Sequence, residues 1–149
     1  MRTSARSRRR GGFTLMEVLL VLVILVILAS LAAVSYDSVR RSANIGAAKS
    51  QIGLLKTPLQ LYQMDIGNLP TTAQGLDALR TMPADLPNPS KWSGPYLDKP
   101  LPPDPWGHPY QYQCPGAHNQ DGYDVWSFGP DGQNGTEDDI GNWDVEGRR

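Results

Sequence analysis

The stretch RRRGGFTLMEVLLVLVILVILASLAAV, residues 8–34, decides the fold of this chain. The eighteen residues from Val18 to Ser35 contain no charge and no proline. At about 1.5 Å per residue they form a helix of ~27 Å, close to the ~30 Å hydrocarbon core of a bilayer. The sequence therefore predicts a long N-terminal helix whose first half, residues 13–35, spans a membrane.

A short basic leader precedes this helix, with five arginines among the first ten residues: Arg2, Arg6, Arg8, Arg9 and Arg10. Basic residues ahead of an apolar helix stay in the cytoplasm, so the C-terminal part should cross the membrane. In a secretory signal the small residues of the cleavage site follow the apolar segment, whereas here Gly11 and Gly12 come before it. We therefore expect cleavage between Gly12 and Phe13, which removes residues 1–12 and retains the helix.

Glu17 is the one charged residue within the retained N-terminal segment, residues 13–35. An ionised carboxylate near the start of a membrane helix is costly and usually functional. The alternative is that Glu17 lies among the lipid headgroups and only marks the start of the helix. The intact motif GFTLME favours the functional interpretation.

Residues 36–66 continue the helix with an amphipathic surface. Apolar residues recur at three- and four-residue steps, namely Tyr36, Val39, Ala43, Ala47, Ile52, Leu55, Leu59 and Tyr62. This period predicts a helical face that packs on a small C-terminal domain. Pro58 interrupts the pattern and Thr57 is placed to cap a new start, so we expect a kink or break near residue 57. The helix should end by Gly67, just before Pro70.

Residues 67–149 are rich in proline and glycine and form the predicted globular region. The segment Thr71–Met82 predicts one short helix capped by Thr71 or Thr72. Residues 83–105 contain eight prolines and predict an ordered but irregular loop. Tyr110–Cys114 and Tyr123–Ser127 are the best strand candidates, and a third short strand is expected near Trp143–Val145.

Composition and motifs exclude several classes of protein. Nucleic-acid binding is not expected, because no basic stripe follows the leader. His108 and His118 lie in loops without a neighbouring nucleophile motif, and the chain contains no GxSxG, HExxH, phosphate loop or CxxC, so we predict that it is not an enzyme. Cys114 is alone and cannot form an internal disulfide, so we interpret it as a small, partly buried residue.

The segment FGPDGQNGTEDDIGNW, residues 128–143, is the candidate site for inorganic chemistry, and we call it the acidic loop. Asp131, Glu137, Asp138 and Asp139 lie within nine residues of one another. Oxygen ligands on a flexible loop suit Ca²⁺, but the twelfth position counted from Asp131 is Asn142, where an EF-hand needs glutamate. The residues alone favour a solvated acidic turn over a cation site.

Longer stretches resemble known families. GFTLME at residues 12–17 resembles the class III signal of type IV pilins and pseudopilins. The whole retained chain is similar to the major pseudopilins of type II secretion systems, in the stretches LPTTAQGLDALR, WSGPYL, PDPWGHPYQY, YDVWSFGPDG and DDIGNW. The resemblance implies an α+β fold in which a long N-terminal helix, transmembrane in its first half, packs on a small antiparallel β-sheet with a loop-rich C-terminal region.

The resemblance also implies how the N-terminal segment functions. A dedicated prepilin peptidase would cut between Gly12 and Phe13 and methylate Phe13. Glu17 would pair with the N-terminal ammonium of a neighbouring subunit, which neutralises both charges in a low dielectric and sets the register of a filament. The chain would polymerise with itself and with minor pseudopilins into a periplasmic filament. An inner-membrane platform and its ATPase would drive assembly, and the secretin and the exported proteins would be indirect partners.

For the acidic loop, the resemblance implies a structural Ca²⁺. By match to the family motif, the side chains of Asp131, Asp138 and Asp139 and the backbone carbonyls of Phe128 and Gln133 would bind it. The cation would then replace the disulfide that commonly closes this region in type IV pilins.

The chain departs from the family pattern at three positions. Many members have glycine and proline within the membrane helix, where this chain has Val26 and Val34, and Pro58 lies in a region that is usually uninterrupted helix. Within the same superfamily the alternative is a type IV pilin or a minor pseudopilin. From another class, the alternative is an uncleaved anchor that carries a periplasmic enzyme or a Ca²⁺-binding module.

Overall fold

The structure, a computed structural model, describes residues 12–145, except for the side chains of residues 31–35 and Val145. The described part contains the helices α1 (Leu15–Leu54), α2 (Lys56–Ile66) and α3 (Asn142–Val145) and the strands β1 (Gln111–Gln113), β2 (Asp124–Ser127) and β3 (Ile140–Gly141). Three short 3₁₀ turns lie at Leu76–Leu79, Pro89–Lys91 and Gly129–Asp131. The predicted α+β fold is confirmed. Apart from Gly12, the predicted leader lies outside the described residues.

The predicted break in the long helix is confirmed, but it lies slightly earlier than expected. α1 ends at Leu54 and α2 begins at Lys56, so Leu55 separates them. No side chain caps the start of α2, so the prediction that Thr57 is the cap was wrong. Pro58 sits in the first turn of α2, where its missing N–H costs nothing. α2 ends at Ile66, and Gly67 donates its N–H to the Gln63 carbonyl at 2.8 Å, as the predicted helix end requires.

The buried helical face is shorter than the sequence predicted. Contacts divide the chain into one unit that ends at Arg40 and one that begins at Arg41. In the second unit the helices bury the residues Ala48, Ile52, Leu55, Leu59 and Tyr62. The earlier part of the predicted stripe was wrong, because Tyr36, Val39, Ala43 and Ala47 are exposed. The stripe therefore becomes a core only where the C-terminal domain has side chains to cover it.

The three strands form one antiparallel sheet in the order β1-β2-β3. Tyr112 of β1 lies opposite Val125 of β2, and Ser127 at the end of β2 lies opposite Ile140 of β3. The first two predicted strands are confirmed with shorter bounds. The third was placed wrongly, because residues 142–145 are helical and the strand is two residues upstream, at Ile140–Gly141. Ile140 is buried in the core, and this burial fixes the pairing.

The predicted helix at Thr71–Met82 is reduced to a single 3₁₀ turn. Thr71 and Gln74 do exchange hydrogen bonds typical of a helix start, with Thr71 Oγ1 accepting from the Gln74 N–H at 3.2 Å. Gly75 then takes φ of +60°, which no helix allows, and the chain turns again before Leu76–Leu79. The turn buries Ala78 and Leu79 in the core.

Aromatic side chains anchor the proline-rich region, which is irregular as predicted except for the turn at Pro89–Lys91. Tyr96 lies edge-on to Tyr62 and Trp92 and donates its hydroxyl to Asp65 at 2.9 Å. Tyr112 donates its hydroxyl to the Pro70 carbonyl at 2.8 Å within the core. Burial raises the pKa of Tyr112 well above its usual value and that of Tyr110 to about 12, so both phenols stay neutral at physiological pH.

Within the part of the chain that the structure describes, no helix combines the length and the apolar character that a membrane span requires.

The core position Leu59 provides a test of this packing. Leu59 is fully buried, whereas Leu61 on the same helix is 45% exposed. We expect Leu59→Ala to lower the free energy of unfolding by about 2–5 kcal/mol, because the substitution leaves a cavity. Leu61→Ala, the matched control, should change it by roughly 0.5 kcal/mol or less. Urea unfolding of the detergent-solubilised chain measures both, and equal losses would contradict the assigned core.

Candidate functional site

The N-terminal motif forms the first turn of α1. Thr14 caps the helix, because its hydroxyl oxygen accepts the Glu17 N–H at 3.2 Å and its carbonyl accepts the Val18 N–H at 3.3 Å. Glu17 therefore lies in the first helical turn, where the helix dipole stabilises a carboxylate. Gly12, Phe13 and Glu17 are all exposed. The predicted cleavage site and the predicted assembly carboxylate are thus accessible on one short segment.

An exposed apolar surface follows this turn. The large apolar side chains from Phe13 to Leu28 are exposed to extents between 48% for Ile24 and 83% for Phe13. Soluble monomers rarely expose continuous apolar surface of this extent, and such surface marks contact with a membrane or with other protein chains. The segment is therefore a candidate interaction site.

The pairing of β2 with β3 holds the two ends of the acidic loop together. Ser127 and Ile140, which pair across β2 and β3, flank its first twelve residues. Gly129 packs so closely against the Asp138 carbonyl that any side chain at this position would collide with it. The chain thus leaves β2 and returns to β3 at paired positions, and Asp131, Asp138 and Asp139 lie in the segment between them.

Each predicted cation-binding carboxylate has a defined contact or environment. Asp131 Oδ1 accepts the Gln133 N–H at 3.0 Å, and Asp139 Oδ2 accepts the Gly135 N–H at 2.7 Å. Asp138 Oδ1 lies 3.7 Å from Arg41 Nη2 in an exposed ion pair, which contributes little stability. Asp139 Oδ1, in contrast, is buried without a hydrogen-bond partner.

This unpartnered oxygen bears on whether the loop suits a cation. A buried carboxylate oxygen without a donor is costly, and a hard cation would satisfy it. In residues 12–145 no three His, Cys, Asp or Glu side chains gather into a metal cluster. Backbone carbonyls, which the predicted set includes at Phe128 and Gln133, would have to supply further ligands. The donor chemistry is therefore compatible with Ca²⁺, and the ligand set stays a prediction.

A buried polar pair lies at the start of the loop, and sequence reasoning did not single it out. Asp104 and Ser127 are both buried, and the Ser127 hydroxyl donates to Asp104 Oδ2. The signal for Asp104 was the turn sequence DPWG, in which an aspartate accepts hydrogen bonds from the backbone that follows it. The bond from Ser127 to Asp104 has no comparable local signal, because Asp104 lies on another segment.

The two histidines are more constrained than their loop positions implied. Buried Asp124 accepts bonds from the His118 N–H at 2.7 Å and from the Asn119 N–H at 3.1 Å, and its Oδ2 lies 3.2 Å from His118 Nδ1. The His118 ring stacks on Trp143 at 3.7 Å. His108 packs against the acidic loop. Both rings therefore have structural contacts, and Nδ1 of His108 is buried without a hydrogen-bond partner.

Cys114 is a free, half-buried thiol, as the sequence interpretation expected. Its thiol donates to the Gly122 carbonyl at 3.5 Å, and its backbone exchanges hydrogen bonds with the Thr72 hydroxyl. Cys114 therefore contributes to the turn before β2 by ordinary hydrogen bonding.

Comparisons with known proteins identify the family of this chain. Residues 37–143 match the family model described as type II secretion system protein G, and residues 7–33 match the prokaryotic N-terminal methylation motif. The chain is 45% identical to a type II secretion system core protein G from Aeromonas hydrophila over 93% of this chain and 96% of that protein. It is 42% identical to the protein of that name from Pseudomonas aeruginosa over 92% and 97% of the two chains.

A solved structure is similar as well. The crystal structure of the major pseudopilin from the type 2 secretion system of enterohaemorrhagic Escherichia coli matches 75% of this chain and 92% of its own, with 37% identity and a TM-score of 0.66. The chain therefore belongs to the type II secretion system protein G family, a family of structural pseudopilins and not of enzymes.

Proposed function

We propose that this chain is the major structural subunit of a type II secretion pseudopilus, in which many copies polymerise to support the export of folded proteins. The observation that carries the proposal is the exposed apolar surface from Phe13 to Leu28, which lies within the stretch that matches the methylation motif. Apolar surface of this kind gains free energy when it is removed from water, at about 25 cal/mol per Å². Packing of the α1 helices of many copies against one another would remove this apolar surface from water.

Before assembly the same helix would hold the subunit in the bacterial inner membrane as a single pass. The uncharged run from Val18 to Ser35 and the arginines before it support this topology, with the leader in the cytoplasm and the C-terminal domain in the periplasm. A prepilin peptidase would cut between Gly12 and Phe13 and methylate the new terminus. Both residues are exposed, as a peptidase requires.

Glu17 would then direct assembly. Its carboxylate lies within one helical turn of the new N-terminus, on an otherwise uncharged apolar segment. Inside a bundle of such helices an unpaired carboxylate would be strongly destabilising, whereas a pair with a neighbour's N-terminal ammonium removes most of that cost. Each subunit supplies one partner to the next, so the pairing repeats along a filament and fixes its register.

Other components of the system would act on this subunit. An inner-membrane platform and its ATPase would add subunits at the base, and minor pseudopilins would share the same helical contacts. The growing filament would reach the secretin of the outer membrane and push or scaffold exported proteins. These partners follow from family membership and are part of the proposal.

We further propose that the acidic loop binds one Ca²⁺ as a structural staple. The buried, unpartnered Asp139 Oδ1 and the oxygen-rich composition of the loop support this assignment. Asp131, Asp138 and Asp139, with the carbonyls of Phe128 and Gln133, would hold the ion. A cation bound there would join the two halves of the loop, of which the second is held by exposed contacts at Asp138 and Asp139.

Complementation of secretion tests the proposed function. Deleting the gene should abolish export of folded proteins across the outer membrane, and the intact chain should restore it. A Glu17→Ala chain should fail to restore export although it is still processed, because the assembly pairing is lost. Intact mass of the purified Glu17→Ala chain should still correspond to a start at methylated Phe13.

The outcomes separate the alternatives. Normal export by the deletion strain would refute the secretion role, and loss of surface pili instead would identify a type IV pilin. Full export by the Glu17→Ala chain would refute the proposed pairing of Glu17 but not the secretion role. A mass that includes residues 1–12 in the wild-type chain would indicate an uncleaved anchor.

Chelation tests the Ca²⁺ proposal. A cation at about a hundred times its Kd stabilises by ~2.7 kcal/mol, which raises the Tm of a domain of this size by roughly 10 °C. We expect Ca²⁺ to produce such a rise over EGTA in the wild-type chain and in Glu137→Gln, the control acid of the same loop. Asp139→Asn should lose the rise and melt no lower than wild type in EGTA, because the unpartnered charge is gone. Equal wild-type melting with Ca²⁺ and EGTA would overturn the proposal.

A further inference from the structure

The turn at Asp104–His108 is built around one buried carboxylate. Asp104 Oδ1 accepts the Trp106 N–H at 3.0 Å and the His108 N–H at 2.8 Å. The Asp104 N–H donates to the His108 carbonyl at 2.8 Å, which closes the turn. Its other carboxylate oxygen, Oδ2, accepts a hydrogen bond from the Ser127 hydroxyl and lies 3.9 Å from His108 Nδ1. The carboxylate therefore joins the turn to the end of β2.

Ser127 extends this connection into the acidic loop. Its Oγ donates to Asp104 and accepts the Gly129 N–H at 3.1 Å, so one hydroxyl uses both its donor and an acceptor lone pair. Ser127 is fully buried, and water does not compete for either bond. The hydroxyl thereby fixes the backbone on both sides of Phe128, whose carbonyl belongs to the proposed cation ligands.

His108 provides a second contact, on the far side of the 3₁₀ turn Gly129–Asp131. Its ring lies against Gly132 so closely that a Cβ at Gly132 would be 2.8 Å from ring Cε1 and 2.9 Å from Nε2. Gly132 separates Asp131 from Gln133, two further residues of the proposed set. The ring therefore limits how far this backbone can move.

The contacts of the Ser127 hydroxyl and of the His108 ring with the first half of the acidic loop differ from the contacts in its second half, which are exposed to solvent. Asp138 is held by an exposed ion pair, and the bond from the Gly135 N–H to Asp139 is also exposed. Exposed contacts of this type fix geometry weakly. The first half has a buried hydrogen-bond chain and a close ring contact, so it is the half whose shape is set in advance.

We propose that Asp104, Ser127 and His108, which we call the loop support, are positioning residues that set the first half of the acidic loop in its cation-binding shape. This inference rests on the Ca²⁺ site of the proposed function. A preorganised site binds more tightly because less ordering is needed on binding. Residues that orient ligands without touching the metal typically change its affinity by about 10- to 100-fold.

Calorimetric titration of Ca²⁺ into the full-length chain in detergent tests the loop support. Ser127→Ala removes the connection from Asp104 to Gly129, and His108→Ala removes the ring from Gly132. Each should weaken Ca²⁺ binding by about 10-fold or more relative to wild type. Ser90→Ala, an exposed serine in the turn Pro89–Lys91, is the matched control and should bind as wild type does.

A second readout separates positioning from plain stability. Amide exchange in EGTA should be faster at Gly129 in Ser127→Ala and at Gly132 in His108→Ala, while the amides of β1 and β2 keep their protection. His108 is partly exposed, so His108→Ala tests the inference even if Ser127→Ala unfolds.

Three results would count against the proposal. If both variants fold and bind Ca²⁺ with the wild-type Kd, the loop support is refuted and the Ca²⁺ site remains. If Ser127→Ala unfolds, a wild-type Kd in folded His108→Ala has the same meaning. A wild-type chain that binds no Ca²⁺ would overturn the site and the loop support together. Uniform loss of protection across the sheet, with unchanged affinity, would show a general structural role and overturn positioning.

Discussion

The structure depends on the burial of one helical face by a domain that has very little sheet. The strands of three, four and two residues cannot enclose a core alone. Ile52, Leu55, Leu59 and Tyr62 therefore form one wall of the core, and Leu79, Tyr112 and Val125 pack into the same cluster. The second half of the long helix is an integral part of the domain. A substitution on this buried helical face therefore affects the packing of every loop that covers it.

The short strands also explain the number of polar anchors. Long loops without a disulfide require other fixed points, and buried carboxylates supply two of them in this chain. Asp104 holds the turn before β1 and reaches the acidic loop through Ser127, while Asp124 holds the turn before β2. Each carboxylate satisfies its burial with several hydrogen bonds. In the acidic loop one buried carboxylate oxygen, Asp139 Oδ1, has no hydrogen-bond partner, and this is where we place the cation.

The sequence was most informative where a pattern is local and strong. The helix end before Gly67, the break near Pro58 and the first two strands, β1 and β2, follow from proline, glycine and alternation. The failures have physical causes. Tyr36 and Val39 have the period of a buried face, but periodicity cannot show where the covering domain begins. The third strand is only Ile140 and Gly141, too short for alternation to reveal.

The candidate site was predictable to a similar degree. Gly12, Phe13 and Glu17 belong to one local motif, so the sequence alone was enough to predict roles for them. Asp131, Asp138 and Asp139 came from the family resemblance, since an acidic run by itself favours a solvated turn. Asp104 and Ser127 lie 23 positions apart and meet only in the folded chain, so no sequence pattern could pair them.

We propose that the apolar helix becomes the interior of a filament of identical subunits. Electron microscopy of material from cells that coexpress the chain with its peptidase and assembly platform tests this most directly. We expect filaments in which residues 13–35 of many copies form the central core, with Glu17 next to a neighbour's N-terminus. Monomers alone, or filaments with these helices on the outer surface, would contradict it.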